Sequence, residues 1–153
     1  HSHIGYNYRM SNVCAGIGRG QMEVLPQRVE KRRSNYAFYQ TAFAGLDAIK
    51  FAEEPGADYY SNRWLSTVLV HAEAGITRED IRLHLEKGNI ETRPLWKPMH
   101  LQPVFADAPF YGDGTSERLF ELGLCLPSGS NLSDEDLDRV VTQLQALFAT
   151  AKV

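Results

Sequence analysis

Apolar positions recur along this chain with two periods, and each change of period marks an element. Ser11 is placed to cap a helix running to about residue 24, with Val13, Cys14, Ile17 and Gln21 on one face. Pro26 suits the first turn of a second helix reaching about Gly45, where Leu25, Val29, Tyr36, Tyr39 and Phe43 fall at helical spacing. Residues 46–62 read as loop, with Pro55-Gly56 as the turn and Tyr59, Tyr60 and Trp64 at its exit. Residues 65–72 are rich in β-branched side chains and predict a strand. Thr77 and Asp80 have the spacing of a capping box for a helix Arg78–Lys87, with Gly88 as its terminating glycine. A second strand is predicted over 90–95, stopped by Pro94 and Pro98. Residues 96–115 form an irregular loop containing Pro98, Pro103 and Pro109, long enough to suggest a functional role. A short helix over 116–122, a strand over 124–126 and a final helix capped by Ser133 complete the chain. That last helix carries Leu137, Val140, Val141, Leu144, Leu147 and Phe148 on its apolar face. The order predicts an α+β fold, a small antiparallel sheet packed with helices.

The first ten residues lack a helical period and read as an extended lead-in, chemically dense where termini are usually frayed. Gly16, Gly18 and Gly20 each cost roughly 1 kcal/mol inside a helix, and close packing against another helix or subunit is the reason they suggest. A dinucleotide loop is rejected: no strand precedes them, and Gln21 stands where the fingerprint needs no such residue and a third glycine is missing.

With 153 residues, 43% apolar and 23% charged, the chain is one domain or most of one, large enough for a sizeable core. Its net charge of −3 disfavours a nucleic-acid partner. The charges are skewed, with Arg28, Lys31, Arg32 and Arg33 on one helix and Asp134, Glu135, Asp136 and Asp138 on the last, and both clusters read as solvated surface. Cys14 and Cys125 lack ligand spacing and read as reduced, buried residues of a cytoplasmic protein. No apolar run reaches the roughly 18 residues of a membrane span, no signal peptide is legible, and the absence of an initiator Met fits a fragment.

No nucleophile triad, phosphate loop or metal cluster emerges from spacing, so no metal is expected. His1 with His3, His71 and His84 read as terminal or structural. Two segments carry chemistry. In Gly5-Tyr6-Asn7-Tyr8-Arg9, Asn7 can donate to an anion and Arg9 can clamp a phosphate, or the segment is a turn bonded to itself. In residues 91–100, Arg93, Lys97 and His100 converge beside Trp96 on a proline-stiffened loop, suited to a nucleotide or sugar phosphate, or simply exposed.

Together these segments resemble the DegT/StrS family of sugar-nucleotide aminotransferases. The resemblance lies in His3–Asn12, Ala15–Gln21, Arg32-Arg33 with Tyr36 and Tyr39, the run Glu91-Thr-Arg-Pro-Leu-Trp-Lys-Pro-Met-His-Leu-Gln-Pro103, and Leu124–Gly129. The wording of the proline-rich run is nearest the bacillosamine- and perosamine-type branch. The resemblance implies a fold of the aspartate-aminotransferase type (fold type I), of which this chain is the C-terminal part. Residues 1–25 would be the junction and first helix from the large cofactor domain, and 26–153 the small domain. It also implies pyridoxal phosphate as cofactor of a cytoplasmic homodimer acting in surface polysaccharide or glycan synthesis. Glutamate would donate the amino group to a 4-keto-6-deoxy sugar carried on UDP or GDP. Asn7 would bind the cofactor phosphate across the dimer, while Tyr8, Arg9, Arg93, Trp96 and His100 would contact substrate. The family's Schiff-base lysine lies upstream of the Gly-Tyr-Asn-Tyr-Arg stretch. None of Lys31, Lys50, Lys87, Lys97 and Lys152 therefore inherits that role, and the chain alone would be inactive. The alternative outside that family is a stand-alone binding or dimerisation module.

Overall fold

Alternation decides the centre of the fold. In the computed structural model, which describes residues 3–71 and 75–151, Ser66–Val70 forms strand β2. Its Ser66, Val68 and Val70 are buried, and Thr67 and Leu69 are half-buried on the opposite face. Beside it run β1, Ile49–Phe51, and β4, Gly123–Leu126, with β3, Arg93–Pro94, at the far edge. The sheet order is β1-β2-β4-β3 and every pairing is antiparallel. Ile49 faces Val70, Val68 faces Leu124, and Thr67, Cys125 and Arg93 stand in line across three strands.

Helix α1, Asn12–Ala42, is followed by α2, Arg78–Lys87, α3, Thr115–Leu122, and α4, Asp134–Ala151. The main core joins Tyr39 and Phe43 of α1, Ile81 and Leu85 of α2, and Leu137, Val140, Val141, Leu144 and Phe148 of α4 to Val68, Val70, Leu124 and Leu126. The α+β architecture read from the pattern is therefore the one observed.

Several boundaries differ. The two helices expected before residue 45 are one, α1, with Pro26 inside it. Proline costs the bond to the Met22 carbonyl, but this stretch is exposed, so water can serve that carbonyl and the helix continues. Residues 46–62 are not all loop, because Ile49, Lys50 and Phe51 make the edge strand β1, too short to show a period. The strand expected over 90–95 shrinks to β3: the Ile90 N–H bonds back to Leu85, and Pro94, lacking an N–H, is confined to an edge. Helix α2 is left through Asn89, which takes the left-handed conformation at φ 55° while Gly88 stays at −85°. The loop 96–115 contains two single 3₁₀ turns, Met99–Leu101 and Pro103–Phe105. Ala72, at the end of the expected strand, lies outside the described residues, as do His1 and Lys152.

The glycine-marked half of α1 stands apart from this core. Residues 3–28 are exposed apart from half-buried Val24, and a Cβ added at Gly16, Gly18 or Gly20 meets nothing within 4 Å. The close packing these glycines suggest is not made within the chain. Cys14 shares that exposure, against the expectation that both cysteines are buried; only Cys125 is.

Candidate functional site

The lead-in segment is self-ordered at one point. The Asn7 side-chain oxygen accepts the Arg9 backbone N–H at 3.1 Å, an Asx-type turn that leaves the amide nitrogen free to donate outward. Tyr6 and Tyr8 lie beside it with ring centroids 5.7 Å apart, both exposed. No described residue bonds the Arg9 side chain. Asn7, Tyr8 and Arg9 thus form an outward-facing donor set ahead of α1, whose first turn is capped by the Ser11 hydroxyl accepting from the Cys14 N–H at 3.2 Å.

The second group sits on the sheet face opposite the core. Trp64 precedes β2 and Trp96 follows β3, yet their rings meet, with centroids 5.9 Å apart and planes at 31°. Below them, Arg93, Cys125 and Thr92 line a cavity of about 350 Å³, which also takes in Pro127 and Ser128. Arg93 is exposed and tied to Glu91 at 2.7 Å. Burial pushes the Cys125 thiol up, which makes it a poor nucleophile and a wall of the cavity. Trp96 and Arg93 are therefore brought together as expected, but His100 is not in that lining. Its Nε2 lies 2.6 Å from the Glu117 carboxylate, and its ring stacks on Phe110 at 3.6 Å. Glu117 is held below the usual carboxylate range by its own backbone N–H at the α3 N-terminus and then by His100. Lys97 is exposed on the same loop.

Three contributors were not singled out as site residues from the sequence: Trp64, Phe110 and Glu117. Trp64 is separated from Trp96 by 32 positions, and only the intervening β4 brings them together. The one local signal was an indole in a polar stretch, Asn62-Arg63-Trp64, just ahead of a strand.

That stretch is held firmly. The Asn62 side chain accepts from the Trp64 N–H at 3.1 Å, and Arg32 donates to the Trp64 carbonyl. Arg63, at φ 47°, donates to the Ala52 carbonyl at 2.6 Å and lays its guanidinium 3.9 Å from the centre of the Tyr36 ring. Glu54 accepts from Arg33 at 2.8 Å and from the Ser61 N–H at 2.7 Å. These two bonds, the Arg33 one first, hold its carboxyl below the ordinary range. Arg33 also covers the Tyr60 ring at 4.1 Å. Arg32 and Arg33, read as solvated surface, are thus the anchors of this loop. Lys31 in turn reaches Asp134 at 3.3 Å, joining the two skewed charge clusters. Among the described residues no three His, Cys, Asp or Glu side chains could hold a metal ion, and no helix is long and apolar enough to cross a membrane.

Comparison with known proteins gives these groups a context. The model of the DegT/DnrJ/EryC1/StrS aminotransferase family matches residues 1–145. EpsN of Bacillus subtilis, named as a pyridoxal phosphate-dependent aminotransferase, is 46% identical over 157 residues, covering 100% of this chain and 40% of EpsN. The GDP-perosamine synthase of Escherichia coli O157:H7 is 28% identical over 149 residues, covering 97% of this chain and 39% of the enzyme. Among solved structures, the aminotransferase TlmJ from Streptoalloteichus hindustanus superposes with a TM-score of 0.84 at 25% identity, over 97% of this chain and 39% of TlmJ. The chain spans about two fifths of the length of these relatives. It belongs to the DegT/DnrJ/EryC1/StrS aminotransferase family.

Proposed function

We propose that this chain is the C-terminal part of an aminotransferase that moves an amino group, from glutamate, onto a 4-keto-6-deoxy sugar carried by a nucleoside diphosphate. The observation that carries the reading is the match to the family model over residues 1–145, with both chemically dense segments inside it. On this reading residues 1–25, the junction segment and the first part of α1, go with a large cofactor domain, and 26–153 are the small domain, with α1 running through the boundary. The exposure of residues 3–28 supports that division, because an isolated half-helix is marginal in water and needs a covering surface. The covering surface we assign is the large domain and a second subunit of a cytoplasmic homodimer.

The residues present fit pyridoxal phosphate at its phosphate end. Asn7 has its oxygen occupied and its amide hydrogens free, the donor an oxyanion needs. We assign it to the cofactor phosphate of the partner subunit. Bound there, pyridoxal phosphate supplies the electron sink for moving the amino group. What this chain does is orient and neutralise. Arg9, with no side-chain partner among the described residues, meets the substrate phosphates, and Tyr8 flanks it. Arg93 and Trp96 take the nucleotide end, where a guanidinium matches a diphosphate bidentately and an indole gives a stacking face. His100, fixed by Glu117 and Phe110 through one nitrogen and one ring face, retains Nδ1 for a sugar hydroxyl. The enzyme acts in surface polysaccharide or glycan synthesis.

The test uses the full-length protein that carries this chain. Supplied with pyridoxal phosphate, glutamate and a UDP- or GDP-linked 4-keto-6-deoxy sugar, it should yield the amino sugar nucleotide by mass spectrometry. Absence of product with both nucleotides overturns the reading. The chain by itself should show no Schiff-base absorbance beyond that of free pyridoxal phosphate, and the appearance of such a band, lost on borohydride reduction of one mapped lysine within the chain, would refute its assigned inactivity.

A further inference from the structure

We infer that Trp64 forms, with Trp96, a preorganised aromatic platform on which the base of the nucleoside diphosphate stacks; this rests on the function proposed above. Trp64 is 57% exposed and Trp96 66%, and no other described aromatic ring covers the pair. Two large rings exposed side by side at the rim of a cavity present a patch that a flat aromatic group can cover. Their spacing decides how. A base sandwiched between two rings needs roughly 7 Å, twice a contact of about 3.5 Å. The indoles are already 5.9 Å apart and in contact, so the base lies on their outward faces and not between them.

The occupant follows from what surrounds the rings. Among the described residues Arg93, on the cavity wall, is bound only to an exposed carboxylate, Glu91, which a diphosphate can replace. Buried Thr92 also lines the cavity, and its hydroxyl has no partner among the described residues. At about 350 Å³ the space lies at the small end of ligand pockets, and suits the base and ribose with the phosphates directed to Arg93. A platform works best when its conformation precedes the ligand. That is what the Arg32, Asn62 and Arg63 tethers accomplish, holding the Trp64 backbone on both sides of its ring and carrying Arg63 at φ 47°.

The test measures binding of UDP, GDP and inorganic pyrophosphate by calorimetry to the full-length enzyme and its Trp64→Ala and Trp64→Phe variants. Losing one stacking aromatic weakens base binding by about 5–150-fold. Trp64→Ala should therefore weaken UDP and GDP by about ten-fold or more, while Trp64→Phe retains most of the affinity and pyrophosphate is unaffected. Unchanged affinity for both nucleotides in Trp64→Ala overturns the platform. An equal loss for pyrophosphate overturns it too, since that marks a general disturbance. Should Trp64→Ala fail to fold, Trp64→Leu keeps an apolar contact with Trp96 and is read by the same two outcomes. A wild-type enzyme that aminates the sugar nucleotide while Trp64→Ala binds nucleotides normally sinks the platform alone. A wild-type enzyme that neither aminates nor binds them sinks the proposed function as well.

Discussion

Replacing Gly123 with alanine should destabilise the protein and disturb the Trp64–Trp96 end of the candidate site together. Gly123 sits where α3 becomes β4, at φ −87° and ψ 136°, a conformation any residue adopts. Its need for glycine is therefore spatial. A Cβ there overlaps the Leu119 carbonyl oxygen and two atoms of the Leu95 side chain. The Leu95 atoms can rotate away, but Leu119 is backbone in the last turn of α3, so relief requires the helix end or β4 to move. Movement of β4 strains its pairings with β2 and β3, and Leu95, whose N–H donates to the Gly123 carbonyl at 3.1 Å, leads directly to Trp96. Overpacking of this kind costs about 3 kcal/mol, the upper part of its usual span. At about 2–4 °C per kcal/mol for a domain of this size, the thermal midpoint should fall by about 6–12 °C. Circular dichroism during heating of wild type and variant measures it. In a cycle with Leu95→Ala the cost of Gly123→Ala should fall by about 1 kcal/mol without vanishing, since the Leu119 overlap persists. An unchanged midpoint for Gly123→Ala, or complete rescue by Leu95→Ala, refutes the reasoning.

Tyr39→Phe removes the hydroxyl that donates to the Pro127 carbonyl at 3.0 Å from a fully buried ring, and should cost about 1–3 kcal/mol in urea unfolding. Thr77→Ala breaks the reciprocal bonds of the α2 capping box and should cost about 1 kcal/mol, with faster amide exchange confined to that helix's first turn. Glu54, Asp80, Glu117 and Asp136 are all held below their ordinary values, 4.5 for Glu and 3.8 for Asp, so each binds its proton more weakly folded than unfolded. Stability should be complete above about pH 4.5 and fall as the pH drops below it, and Glu54→Gln should flatten that slope in urea titrations at several pH values.

The elements with many residues to speak for them were legible. The β-branched run of β2, the apolar face of α4 and the capping box at Thr77 are local patterns, and each appears where its residues place it. What escaped was decided by partners distant in sequence. Strand β1 has three residues and exists because β2 offers it an edge, Ile49 against Val70. Pro26 was a sound reason to start a new helix, overruled because the affected turn is open to water. The candidate site divided the same way. Asn7, Arg9, Arg93, Trp96 and His100 stood out as candidates through residue type and proline spacing, and the resemblance supplied the roles proposed for them. Trp64 gained meaning only from the order β2-β4-β3, and Glu117 only from the fold of the loop back onto α3.

On the function proposed above, the distribution of constraint across this chain fits a part that presents surfaces to substrate and cofactor while the rest of the enzyme carries the reacting atoms. The tethers around Trp64 and the Asn7 turn fix side chains whose remaining polar or aromatic groups face solvent, and Glu117 fixes one nitrogen of His100. The buried reactive group among them, the Cys125 thiol, is made less acidic by its surroundings. A centre that performs proton transfer or nucleophilic attack gathers acid, base and nucleophile around one point. Here the donors and aromatic faces are spread between the sheet and the lead-in to α1, an arrangement that fits the proposed elongated, charged sugar nucleotide. Orientation of that kind is worth much of a catalytic barrier when a second element carries the reacting atoms. It explains why loss of Trp64 or Arg93 in the full enzyme should raise KM for the sugar nucleotide while leaving KM for glutamate in place.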